Sequence, residues 1–149
     1  MAEKMIEGSA HIDIAAPPET VYAATCTFDW IGTEVAIRRL DAGDDGLSGS
    51  YCVAAEAFGK RQEAVVAVDA GASDRVGFSS VDCRECTFGG EYVLERSGAG
   101  TRVLLRMHAK PHGKLRFLGP VVGTLMQRAM NEMLERLKAR TEQRLADAA

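Results

Sequence analysis

Val122-Gly123-Thr124-Leu125-Met126-Gln127-Arg128-Ala129-Met130-Asn131-Glu132-Met133-Leu134-Glu135-Arg136-Leu137-Lys138 is the stretch that decides the fold. Stepping about 100° per residue from Val122 puts Leu115, Leu118, Leu125, Met126, Ala129, Met130, Met133 and Leu137 in one arc. Arg128, Asn131, Glu135 and Lys138 fall outside it. The pattern covers 113–149, and only Gly119-Pro120 is unsuited to a helix interior. The reading is a short helical prelude, a restart at Pro120 and an unbroken run to about Leu145. So wide an apolar arc needs a large apolar partner surface, and the preceding residues must supply it as a sheet.

Those residues read as strands and turns. Ala10, Ile12 and Ile14 alternate with His11 and Asp13, which predicts a first strand over 7–15. Ala16-Pro17-Pro18 stops it, and Pro18 suits the first position of a short helix through Ala24. Residues 27–32 read as a second single-turn helix or tight loop. Strands are then predicted over 34–40, 50–58, 62–69, 75–81, 84–96 and 101–110. Asp41 to Gly46, Gly59-Lys60, Ala70 to Asp74 and Ser97 to Gly100 supply the turns between them. Consecutive hairpins favour an antiparallel sheet, and the helices gather on one face, which makes the class α+β.

The chain has 149 residues, a size suited to one domain spanning 1–149. A formal charge of −3 argues against a nucleic-acid partner. The charge is uneven: from Gly113 onward there are seven Lys/Arg against four Asp/Glu, and before it eleven against seventeen. No apolar run reaches transmembrane length and no secretory leader is legible, so the expected location is cytoplasmic. Four cysteines, Cys26, Cys52, Cys83 and Cys86, fit a reducing compartment better than a disulfide scaffold.

Particular residues carry a family resemblance. Ile12-Asp13-Ile14-Ala15-Ala16-Pro17-Pro18-Glu19-Thr20-Val21-Tyr22 opens the chain, Gly49 and Gly59 bound its third strand, and Gly100-Thr101-Arg102-Val103 begins its last. Leu134-Glu135-Arg136-Leu137-Lys138 closes it. Together they resemble the START-like helix-grip superfamily, specifically polyketide cyclase/dehydrase and SRPBCC-type proteins, over nearly the whole chain. The resemblance implies a curved seven-stranded antiparallel sheet wrapped around the long C-terminal helix, with two small helices between strands 1 and 2. It also implies a cavity between sheet and helix for an apolar or amphipathic small molecule. It carries over no catalytic set, and fold analogy stops at the pocket.

Strand parity and the helical arc nominate a lining: Trp30, Tyr51, Val53, Val66, Phe78, Phe88, Tyr92, Met107, Met126, Met130 and Met133. The methionines would give it an adaptable wall, although a Met stripe at helical spacing reads equally as plain core. Candidate polar anchors are Asp29, Glu56, Arg84 and Arg96. A guanidinium could hold a carboxylate or phenolate by its fork, yet both arginines stand near strand ends, where water is the default. Glu56 qualifies only if its strand has the opposite parity. Cys83-Arg84-Glu85-Cys86 is a lone CxxC, and on one strand its two thiols point to opposite faces, so no metal site is assigned. No cofactor motif occurs: the nucleotide, dinucleotide, zinc-protease and hydrolase signatures are all missing. No general acid or base is assigned.

Three functions fit. The first is a carrier that binds a hydrophobic small molecule. The second is a cyclase/aromatase-like enzyme in which the cavity folds an apolar substrate. The third is a protein-interaction module using the helix back or a sheet edge. A homodimer is the prior for quaternary structure.

Overall fold

The computed structural model describes residues 5–27, 36–42, 49–57, 60–69, 74–81 and 86–148. Its strands are β1 (Ile6–Ile14), β2 (Ala36–Ala42), β3 (Gly49–Ala57), β4 (Lys60–Asp69), β5 (Arg75–Val81), β6 (Cys86–Ser97) and β7 (Gly100–Pro111). Helix α1 (Pro18–Thr27) follows β1. A 3₁₀ segment (Gly113–Leu118) leads into α2 (Gly119–Ala148). The second small helix expected over 27–32 falls outside the described residues, apart from Thr27, which ends α1. Pro120 is tolerated because it stands in the first turn of α2, where its missing N–H would have had no partner.

The strands form one curved antiparallel sheet in the order β1-β7-β6-β5-β4-β3-β2. From β2 onward each strand pairs with the next in sequence, and β1 returns beside β7, Ile6 opposite Ala109 and Ile14 opposite Thr101. Parity behaves as period-2 chemistry requires. In β7, Val103, Leu105 and Ala109 are buried while Arg102 and Arg106 are exposed. Tyr92 and Leu94 on β6, Val76 and Phe78 on β5, and Val66 and Val68 on β4 continue the buried face.

Helix α2 runs parallel to β1 and lies over β1 and β7 rather than the middle of the sheet. Gly123 stands beside Ile6, and Gln127 Nε2 donates to the Ser9 carbonyl at 3.3 Å. Lys138 Nζ donates to the Asp13 carbonyl at 2.9 Å, and Glu142 Oε2 accepts the Ala15 N–H at 3.0 Å. The side chains that α2 buries are Met126, Met130, Leu134, Leu137 and Thr141. This corrects the expected arc. Leu118 and Leu125 are 41% and 42% exposed, Ala129 is exposed too, and Leu134, left out of the arc, is 1% exposed. The helix is rotated so that a narrower stripe faces β1.

Gly8 receives part of that stripe. A Cβ there would stand 3.1 Å from Met126 Cε and 3.4 Å from Met130 Sδ, so the bare glycine admits these two side chains onto β1. Buried threonines brace the rest. Thr101 Oγ1 donates to the Ala16 carbonyl at 2.7 Å, tying β7 to the β1–α1 connection. Thr25 and Thr141 return their hydroxyls to Val21 and Leu137 carbonyls one turn back. A buried hydroxyl costs little once it is bonded in this way.

Candidate functional site

Four paired positions cross the sheet in one row: Gly8 on β1, Met107 on β7, Gly90 on β6 and Phe78 on β5. Two of the four have no side chain, and neighbours come close to both: Met126 and Met130 reach Gly8, and Phe78 Cζ stands 3.0 Å from where a Gly90 Cβ would be. The neighbouring row, Ala10-Leu105-Tyr92-Val76, carries a side chain at every position, with Leu105, Tyr92 and Val76 all fully buried.

A cavity of about 640 Å³ lies along the glycine-bearing row. That volume falls within the range of small-molecule sites, roughly 300–1,000 Å³. Gly8, Phe78, Gly90 and Met107 line it together with Glu7, Ser9, Glu91, Arg106 and His108. The second group has opposite strand parity, so its side chains stand on the other face of the sheet from Phe78 and Met107, and no residue of α2 is among the lining. Glu91 lies between two guanidinia, 3.6 Å from Arg75 and 3.9 Å from Arg106. Both arginines are well exposed, so these pairs orient charge more than they stabilise the fold.

Phe78 packs against Tyr92 with ring centroids 5.7 Å apart at 44°. Burial pushes the Tyr92 phenol far above its ordinary range, so it stays protonated at any physiological pH and cannot act as a base. Tyr51 donates its hydroxyl to the Cys26 carbonyl at 3.2 Å, which fixes β3 against α1.

Of the nominated lining, Phe78 and Met107 border the cavity. Tyr51, Val66, Tyr92, Met126 and Met130 are buried in the core, and Phe88 and Met133 are half-buried against it. Among the anchors, Arg96 is exposed and lies 4.0 Å from Glu19, itself exposed, on the surface between β6 and α1. Trp30, Asp29, Arg84 and Cys83 lie outside the described residues, as do the side chains of Val53, Glu56 and Cys86. Gly8 and Gly90 escape any reading that counts side chains. Their signal is legible all the same: each occupies an inward position, Gly8 in phase with Ala10 and Ile12, Gly90 in phase with Phe88 and Tyr92.

Residues 5–142 match the family model described as polyketide cyclase / dehydrase and lipid transport. No curated protein matches the chain in sequence. Among solved structures, TTHA0849 from Thermus thermophilus is 24% identical with a TM-score of 0.78, the match covering 98% of this chain and 100% of that one. A START superfamily protein from Mycobacterium smegmatis is 17% identical with a TM-score of 0.80, covering 92% and 97%. The Zhui aromatase/cyclase from Streptomyces sp. R1128 is 12% identical with a TM-score of 0.81, covering 95% and 96%. At these identities the likenesses establish the fold.

Proposed function

The chain belongs to the polyketide cyclase / dehydrase and lipid transport family, and from that premise we propose that it binds a hydrophobic or amphipathic small molecule as a carrier. The observation that supports this is a cavity of about 640 Å³ whose lining combines Phe78 and Met107 with Arg106, His108 and Glu91. A ligand with one greasy body and one polar or anionic group suits such a lining. A cytoplasmic setting goes with the proposal, since four cysteines in a domain of this size fit a reducing compartment.

Titration with an apolar fluorescent dye tests it. Wild-type protein should bind near one equivalent. Met107→Trp, which fills the space, should weaken binding by about tenfold or more, the equivalent of about 1.4 kcal/mol. Met107→Ala should keep binding, and far-UV circular dichroism should be unchanged in both. Equal dye affinity in wild type and Met107→Trp would remove the carrier reading.

A cyclase-like enzyme is the second reading, because the cavity lining carries titratable side chains in Glu7, Glu91 and His108. A polyketide-like substrate would then be turned over with a rate that His108→Gln lowers while dye binding persists. Turnover insensitive to substitution at all three positions would leave the carrier alone.

A further inference from the structure

We propose that the start of α2 docks the protein onto an anionic lipid surface. Phe117 is 75% exposed, Val121 48% and Leu125 42%, and Leu118 beside them is also exposed. Val121 and Leu125 are four residues apart, so they share one face of α2, and Arg128, exposed and seven from Val121, continues that face. Phe117 and Leu118 end the 3₁₀ segment that feeds it. Large apolar side chains grouped in water mark a contact surface.

Charge selects the occupant. Residues 113–131 contain three basic residues, Lys114, Arg116 and Arg128, and no Asp or Glu, within a chain whose net charge is −3. Lys114 and Arg116 lie in the same 3₁₀ segment as Phe117, and Arg128 follows Leu125 by three residues. An apolar stripe flanked by basic residues, with the first acid on its face only at Glu132, is the chemistry of an interfacial helix. The rings and branched side chains enter the headgroup boundary, and the cations pair with anionic lipid. No described helix is long and apolar enough to cross a bilayer, so contact would be at the surface. The position also suits ligand exchange. Gly123 packs on Ile6 and Met126 reaches Gly8, so the start of α2 lies at the end of β1 that holds Gly8, a residue of the cavity lining. Docking does not depend on the carrier reading, because it needs no ligand.

The test is co-sedimentation of the full chain with phosphatidylcholine vesicles, with and without about 30 mol% phosphatidylglycerol. Wild type should pellet with anionic vesicles at low salt, poorly with neutral ones, and be released at about 0.5 M NaCl. The double variant Phe117→Asp/Leu125→Asp should lose about tenfold or more in partitioning. Its melting temperature should hold, because both residues are exposed. Lys114→Glu/Arg116→Glu should weaken anionic binding selectively. No pelleting of wild type, or pelleting that both variants retain, would overturn the proposal. So would a stripe whose loss only converts a dimer to a monomer in gel filtration, which would assign the face to a second copy. Dye binding retained by the vesicle-deficient double variant would separate this proposal from the carrier reading.

Discussion

Alanine at Gly90 and alanine at Gly8 should have opposite consequences, although both residues sit on the same row of the sheet. A Cβ on Gly90 would overlap the backbone carbonyl oxygen of Arg106, and it would also stand 3.0 Å from Phe78 Cζ and 3.1 Å from Met107 Cα. Two of these three neighbours are backbone, so they cannot swing away, and β6 would have to part from β7. Forced overpacking costs about 1–3 kcal/mol when side chains can yield and more when they cannot. Gly90→Ala should therefore lose about 3 kcal/mol or more, a fall in Tm of roughly 6–12 °C for a domain of this size. At Gly8 the new methyl would meet Met126 Cε at 3.1 Å, Gln127 Oε1 at 3.3 Å and Met130 Sδ at 3.4 Å, the far ends of three flexible side chains. Thioethers move easily, and a strand alanine regains about 0.5–1 kcal/mol of backbone entropy over glycine. Gly8→Ala should stay within about 1 kcal/mol of wild type. Urea denaturation of the three proteins measures both values. Equal stability for the two variants, or Gly8→Ala as the worse, would refute the close approach of β6 and β7 at this point.

Leu137→Ala removes a side chain with no exposure and should cost about 2–5 kcal/mol in the same assay. The Ala15 N–H and then Lys138 hold the Glu142 carboxyl below the usual carboxylate range. A lowered folded pKa gives stability that is present above the unfolded value and lost as pH falls through the folded one. The acid limb below about pH 4.3 should accordingly be shallower in Glu142→Gln, as acid denaturation monitored by circular dichroism would show. Tyr92 has the opposite sign: its raised pKa gives stability that is complete below about pH 10 and is lost above it as the unfolded chain ionises. Tyr92→Phe should flatten that alkaline decline, and no change in the slope would count against its burial. Hydrogen exchange should be faster over 119–128 than over 134–142. The first segment carries the exposed stripe, and the second is held by Leu134, Leu137, Thr141 and the Lys138 and Glu142 bonds to β1.

The strands were legible because period-2 alternation and turn residues are local signals. Asp13, Arg102 and Arg106 reveal which face meets water, and Val103, Leu105 and Tyr92 follow from them. The helix was legible in extent, and Gly119-Pro120 marked its restart. Its rotation was not, because a helical wheel shows which side is apolar without showing which part of that side meets a partner. Leu125 and Met126 are neighbours of similar hydrophobicity, yet Met126 goes in beside Gly8, more than a hundred residues away, while Leu125 stays out. Thr141 escapes notice for a related reason: its hydroxyl looks solvent-facing until the Leu137 carbonyl is seen to satisfy it.

Two stripes run along α2. Met126 Cε and Met130 Sδ come within 3.1 and 3.4 Å of where a Gly8 Cβ would stand, while Val121 and Leu125 on the same helix face water. The apolar residues of α2 therefore divide between a stripe seated on β1 and a stripe left exposed, and a helix with two apolar stripes needs two partners. The sheet is the first, and a lipid surface would be the second.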